Sequence, residues 1–432
     1  MSHRNVAVMQ NRLRFKQATK NEKTICLTMI VKNESKNMVR LLNSAKPIID
    51  FISIVDTGST DNTIEVINNW CKQNNIKYKI HQEPFQDFAY NRTHSIQMAK
   101  KSFPEADYFL LSDADFIWEI NVGHKFNKRL LFDHKYLVNQ YNDGISYSNI
   151  RLLSNQVDWV CMGLTHEYFK ECDIQPTFKG EIRISTLNTI RIKDMEDGGC
   201  KTDKYERDAC LLTRGLSDPE LCEDLKVRYT FYLAQTYKCL SEFEKSIDLY
   251  TKRITMGHWY EEIYVSYYQI GICYESWISY IKHLQKVMNK ETKTDLDEEY
   301  IKKWGHNLTL EQIQDKENEL IELAIKWYLE SWRYRPSRAE GLHHAVSMLR
   351  TIGRHREAYL YATEGNKIPM SSDTLFIEPN SYKWNFDFEL SIVFYYLGKL
   401  EEGAAVCDKL LEREDLPKNV RSRVEQNCHF YN

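Results

Sequence analysis

The sequence predicts two domains of different class, an α/β domain in the first half and an all-helical domain in the second. Short apolar runs alternate with amphipathic segments from Ile25 to Leu111. From about Tyr205 the apolar spacing becomes helical throughout. The chain has 432 residues, enough for two cores, since domains usually run about 100–200 residues.

In the first half, Ile25–Val31 is an apolar run of the kind found in strands buried on both faces. Residues 35–46 then place Met38, Leu41, Leu42 and Ala45 at helical spacing. Phe51–Val55 reads as a second strand, and Thr63–Cys71 as a helix with Ile64, Ile67 and Trp70 available for one face. Lys77–His81, a helix over 90–101 and the strand Tyr108–Leu111 complete the alternation. Such alternation implies a parallel sheet with right-handed crossovers. Residues 130–141, 144–154 and 157–170 are expected as shorter strands, with a turn at Asn142-Asp143-Gly144. Residues 194–204 read as a polar, glycine-bearing loop.

In the second half, Tyr229, Leu233, Ala234 and Tyr237 are followed by Phe243, Ser246, Ile247 and Tyr250. That is the helix–turn–helix spacing of a tetratricopeptide-like repeat. Echoes follow around Gly271 and Tyr328, Ala345 and Ala362, and Phe394 and Leu410. A generic helical bundle is the plainer alternative. The expected organisation is a basic, solvated tail over 1–22, an α/β domain over 23–205 and a repeat domain over 206–432. A Lys/Glu-rich insertion falls near 283–319.

Composition excludes several classes. Fifty-eight basic residues stand against 61 acidic ones, a net charge of −3, without the basic excess of a nucleic-acid binder. No apolar run is long enough to span a membrane. Eleven cysteines lie scattered without a CxxC pair, which fits reduced thiols, and no apolar leader segment is visible. The expected location is therefore cytoplasmic.

Three strand ends carry carboxylates. Glu34 follows the first strand, Asp56 closes the second, and Asp113-Ala114-Asp115 follows Leu111. Ligands of open α/β sheets bind at the carboxyl ends of strands. Two carboxylates one residue apart can share a hard divalent cation that bridges nucleotide phosphates. Taken singly, Asp-x-Asp is as well explained by a turn, and Asp61 by helix capping. Their convergence on one rim is the stronger signal.

The runs Met29–Glu34, Val55–Thr63 and Asp113–Asp115, in that order and spacing, resemble glycosyltransferase family 2, the GT-A fold. Phe85–Arg92, Thr165–Glu167 and Asp197–Asp208 resemble a subgroup with C-terminal tetratricopeptide repeats. The resemblance implies a GT-A, Rossmann-like catalytic domain followed by a tetratricopeptide-like helical repeat domain. It implies that Asp56 contacts the nucleoside, with Val31 and Glu34 lining the pocket. Asp113 would lie near ribose and metal, and Asp115 would be the main metal ligand. It also implies inverting transfer of a sugar from a nucleotide-diphosphate donor, by default a UDP-sugar, and a divalent cation, Mn²⁺ or Mg²⁺. The acceptor is left open between a peptide or protein and a glycan. A homodimer through the helical domain is expected by analogy.

Such a reaction needs a general base. Glu167 and Asp158 are the candidates. His166 and Glu167, read as strand residues, would point to opposite faces, so His166 is assigned to the metal and Glu167 to the acceptor. A plain hydrogen-bonded pair is the alternative. Arg92, Lys201, Lys204 and Arg207 are candidates to neutralise the diphosphate, the last three beside a Gly198-Gly199 loop that could act as a lid. The family's Gln/Arg-x-x-Arg-Trp motif is missing there. A sugar nucleotidylyltransferase would need a Gly-rich first loop, which Val31–Glu34 is not. A non-catalytic scaffold with an inactive transferase domain is opposed by intact Asp56, Asp113 and Asp115.

Overall fold

The computed structural model describes residues 22–142, 146–172, 178, 180–198, 204–305 and 308–431. The fold divides into two compact units between Lys204 and Tyr205. Residues 1–21 of the expected tail over 1–22 and most of the Asn142-Asp143-Gly144 turn lie outside the described residues.

In the first unit, strands β1 (Ile25–Val31), β2 (Phe51–Asp56), β3 (Lys77–Gln82) and β4 (Tyr108–Leu111) run parallel. Helices α1 (Ser35–Ala45), α2 (Thr63–Asn74) and α3 (Phe88–Ser102) connect them. Further strands are β5 (Phe116–Ile120), β6 (Lys135–Tyr141), β7 (Ser146–Ser154) and β10 (Ile184–Asp194). Together they form one eight-stranded sheet in the order β3-β2-β1-β4-β7-β6-β10-β5. β8 (Trp159–Met162) and β9 (Tyr168–Glu171) form a separate hairpin. The sheet is therefore a mixed, Rossmann-like one. The connection order reverses between β1 and β4, which is where such sheets bind ligands.

Strands β1, β2 and β4 bury both faces, which explains their largely apolar runs. Leu27, Met29, Ile52 and Ile54 pack with Met38 and Leu42 of α1 and Ile67 and Trp70 of α2. Cys26, Phe109 and Leu111 pack with Ile96 and Ala99 of α3 on the other side. The expected single strand over 157–170 is a hairpin instead. Gly163 (φ 111°) and His166 (φ 51°) take left-handed backbone between β8 and β9 and break the run.

The second unit contains α4 (Lys204–Leu216), α5 (Glu223–Cys239), α6 (Phe243–Thr255), α7 (Tyr260–Met288), α8 (Asp295–Trp304), α9 (Leu310–Tyr334) and α10 (Glu340–Thr351). Four more follow: α11 (His355–Gly365), α12 (Asn385–Tyr396), α13 (Leu400–Leu411) and α14 (Lys418–Cys428). Helices pack in pairs, α5 on α6, α6 on α7, α9 on α10, α10 on α11 and α12 on α13, while α9 packs on α7 across the intervening α8, as in a helical repeat array. Small residues permit close approach: a Cβ on Gly271 would strike the Tyr328 ring, and one on Gly365 the Phe386 ring. The polar stretch over 283–319 is largely helical. Tyr300 and Trp304 of α8 pack on Tyr280, with ring centroids 6.3 and 4.5 Å apart. Charged residues cover its outside.

A polar cluster joins α7, α9 and α10 to the segment before α12. His344 Nδ1 lies 3.1 Å from Glu275 Oε2, and its Nε2 lies 3.0 Å from the Tyr268 hydroxyl. Tyr268 donates to Glu378 at 2.6 Å, and Tyr328 donates to Glu275. Burial disfavours the charged ring, but Glu275 and Glu378 outweigh it and push His344 up to about 9. Neighbouring His343, buried beside that charge, is pushed down to about 3. A raised histidine stabilises the fold fully below its unfolded value, about 6.5, and loses that contribution as pH rises through about 9. Thermal unfolding followed between pH 6.5 and 10 should show wild type losing about 3 kcal/mol that His344→Gln does not lose. Parallel pH profiles for the two proteins would contradict the assignment.

Candidate active site

The carboxyl ends of β1, β2 and β4 carry the polar residues of the rim. Asp56, the last residue of β2, is only 2% exposed. Gly58 (φ 106°) turns the chain so that the amides of Gly58 and Ser59 donate back to the Asp56 carboxylate at 3.2–3.3 Å. The Thr57 amide and hydroxyl both bond the Val31 carbonyl, at 2.9 and 3.1 Å. This ties the first two strand ends together. Asn33, in left-handed backbone (φ 57°), accepts from the Thr60 amide at 2.7 Å. The Glu34 amide donates to Thr63 Oγ1 at 2.8 Å. The two loops thus hold each other, and Asp61 serves them structurally by accepting from Ser35 and Thr63.

Asp113 is clasped by two arginines. Arg92 Nη2 donates to Oδ1 at 2.7 Å, and Arg151 Nη1 donates to Oδ2 at 3.2 Å. Burial alone would raise the Asp113 carboxyl. The two guanidiniums overcome it and hold the group below the usual carboxylate range. Arg92 also faces Glu167 through its Nε, an ion pair without hydrogen-bond geometry. Its pKa is raised despite burial, because carboxylates flank it on both sides. Arg151 Nη2 donates to Gln140 Oε1 at 2.8 Å, and Gln140 Nε2 donates to Asp194 Oδ2 at 2.7 Å. A chain of alternating charge and amide runs from Glu167 through Arg92, Asp113, Arg151 and Gln140 to Asp194.

Asp115 has a different environment. Burial first, then the charges of Asp113 and Asp194, push it up to about 6. The Gly198 amide donates to it, and a Cβ on Gly198 would sit 3.0 Å from the Asp115 carboxyl. A side chain there would crowd the Asp115 carboxylate. Asp197 anchors this segment to α1 through Arg40 Nη1 at 2.7 Å, and Asn37 Nδ2 bridges Glu34 Oε2 (2.9 Å) and the Asp197 carbonyl (3.3 Å). Glu34 and Asp115 therefore flank one short loop.

Several expectations need correction. His166 and Glu167 lie in the β8–β9 turn, not in a strand, so strand alternation does not divide their roles. Arg92 is committed to Asp113 and Glu167 and is not an unengaged phosphate-neutralising cation. Asp158 pairs with Lys100 at 2.7 Å. Lys100 also bonds the Asn155 carbonyl, and the Asn155 amide bonds Asp107 just before β4. Asp158 thus sits at the amino end of the parallel strands, away from the rim. Among the described residues no three His, Cys, Asp or Glu side chains are grouped to hold a metal ion, so Asp113, Asp115 and His166 do not form a ready cage. Both Asp113 oxygens are taken by arginines, whereas Asp115, raised by neighbouring carboxylates, suits a cation. Lys201 lies outside the described residues. Lys204 begins α4, and Arg207 belongs to the second unit, 4.0 Å from Asp208. Arg151, Gln140 and Asp194 were missed. An arginine within the otherwise apolar Ile150–Leu153 run was the available signal.

With the rim in place, comparison with known proteins is informative. Residues 26–197 match the model of glycosyl transferase family 2. The first unit carries a family 2 glycosyl transferase domain. No curated protein matches the chain. Among solved structures, one similar chain is a thermophilic TPR protein of Thermus thermophilus, at 12% identity and TM-score 0.30. The match covers 52% of this chain and 91% of that one. Another is S. aureus TarS 1–349 in complex with UDP, at 14% identity and TM-score 0.29, covering 58% and 80% respectively. At such scores neither likeness assigns a ligand or a partner. No helix among the described residues is long and apolar enough to cross a membrane.

Removing Arg92 would leave Asp113 and Glu167 both short of a countercharge. Arg92→Met should therefore destabilise the first unit by about 3–5 kcal/mol, the range for breaking a buried ion pair from one side. Chemical denaturation monitored by tryptophan fluorescence measures it. A loss below about 0.5 kcal/mol, the size of a surface change, would show that the pairs carry no stability.

Proposed function

We propose that the first unit transfers a sugar from a UDP-sugar to a peptide, protein or glycan acceptor, with inversion at the anomeric carbon. The observation that supports this most is the convergence of Glu34, Asp56, Asp113 and Asp115 at the strand ends of a family 2 glycosyl transferase domain. A nucleotidylyltransferase is disfavoured by the same family match.

In this reading the buried Asp56 carboxylate, fixed by two backbone amides, accepts from the donor's base, with Val31 and Glu34 beside it. Asp113, held ionised and still, accepts from ribose hydroxyls. Asp115 would hold a divalent cation, Mn²⁺ or Mg²⁺, whose chemistry is to neutralise the diphosphate as it leaves. Lys201 and Lys204 are assigned to that same charge. The acceptor attacks the anomeric carbon in line while the bond to the nucleotide diphosphate breaks, and the acceptor's proton passes to a base. Glu167 stays the candidate for that base. Its contact with Arg92 gives it a second, competing role as support for Asp113. Asp158, on the far end of the sheet, is set aside.

Two outcomes are expected. Asp115→Ala should bind UDP no more tightly with Mn²⁺ than without it, whereas wild type gains affinity from the metal. Titration calorimetry reads both, and wild-type affinity unchanged by excess chelator overturns the cation's place. Glu167→Gln should lower transfer about 10²–10⁴-fold with little change in UDP affinity if Glu167 is the base. If it acts only through Arg92, affinity falls and turnover at saturation stays.

A further inference from the structure

The β7 strand departs from regular pairing at one place. Leu152 stands opposite Tyr136, and Ile150 stands opposite the next residue, Leu137. Arg151 is the extra residue and stands opposite no residue of β6. On its other side β4 pairs as far as Leu152 and then leaves the ladder toward Ser112 and Asp113. The bulge therefore falls beside the Asp-x-Asp segment. Bulges re-aim single side chains and recur next to active sites. Here the re-aimed guanidinium lies 4.6 Å above the Phe116 ring, with a side chain only 12% exposed. It reaches Asp113 Oδ2 with Nη1 and Gln140 with Nη2, while its Nε is buried with no hydrogen-bond partner among the described residues. The break in the ladder and the unsatisfied donor thus fall on one residue, beside the Asp-x-Asp segment.

We propose that Arg151 is a positioning residue of the donor site. Thrown out of register by the bulge, it pins the second oxygen of Asp113 and so fixes that carboxylate as an acceptor for the donor's ribose. Arg92 pins the first oxygen from α3, so the carboxylate is clamped from two elements. The inference rests on the donor-site reading above. It adds that donor affinity depends on a residue outside the three strand-end motifs.

Two variants test it. R151M removes both donors but keeps the stem over Phe116. R151K keeps the charge but cannot reach Asp113 and Gln140 together, because an ammonium is a single point rather than a fork. UDP affinity by titration calorimetry and donor hydrolysis kinetics are measured on the full chain. R151M should weaken UDP binding and raise the donor KM by about tenfold, with kcat at saturating donor within about threefold of wild type. R151K should recover part of the affinity. A merely structural role would lower the melting temperature without this split, and D113N should be no further weakened by adding R151M. If R151M does not fold, R151K carries the same comparison. Unchanged UDP affinity in R151K, or a collapse of kcat at unchanged affinity, overturns the proposal. Wild type that binds no UDP sinks the donor-site reading itself, visibly, before any variant is compared.

Discussion

The two-sided clamp on Asp113 is the constraint from which the rest of the rim follows. A carboxylate partly withdrawn from solvent, as Asp113 is with its side chain 28% exposed, is costly to ionise unless cations face it. Arg92 and Arg151 supply them from α3 and from the β7 bulge. Arg92 then draws Glu167 in from the β8–β9 turn, and Arg151 draws Gln140 and through it Asp194 at the end of β10. Segments far apart in sequence are fixed relative to one another by a single charge. Asp115, two residues on, is not clasped in this way and sits near Asp113 and Asp194, so the same arrangement leaves it short of positive charge.

The parallel half of the sheet was legible because its signal is local. Strands buried on both faces are predominantly apolar, and β1, β2 and β4 are, with only Thr28, Ser53 and the terminal Asp56 as exceptions. Their carboxyl ends then fall at predictable residues, which is why Glu34, Asp56 and Asp113–Asp115 could be placed from sequence. The second half of the sheet was less legible. β8 and β9 are separated by left-handed backbone at Gly163 and His166, a break that an apolar, aromatic-rich stretch conceals. Arg151 was missed for a similar reason. A bulge is a register property of two strands, and neither strand's sequence shows it alone. Asp158 was misplaced because distance along the chain from the Asp-x-Asp said nothing about which end of the sheet β8 begins at.

The helical unit was legible by its repeat of small and aromatic residues, such as Gly271 against Tyr328. The stretch over 283–319, expected as a Lys/Glu-rich insertion, is largely helical, and its charge is a property of its exposed side. Tyr300 and Trp304, at i and i+4, were enough to dock α8 on the aromatic cluster around Phe243 and Tyr280.

Both units set arginines between carboxylates, and the difference between the two uses separates support from function. In the helical unit Arg338 is fully buried. Its Nε donates to Glu340, its Nη1 to Asp373 and the Leu375 carbonyl, and its Nη2 to the Phe376 carbonyl. Every nitrogen is engaged, which is what a structural ion network requires to offset desolvation. On the rim of the first unit the network is unfinished. Asp113 keeps 28% of its side chain exposed, Arg151 keeps an Nε unbonded among the described residues, and Asp115 is pushed up by burial and by neighbouring carboxylates. The last two cost stability, and all three lie at the carboxyl ends of the strands. Perturbed groups left incomplete at one place mark a site built for something that completes it. A nucleotide diphosphate with its cation has the complementary parts, hydroxyl donors for Asp113 and positive charge for Asp115.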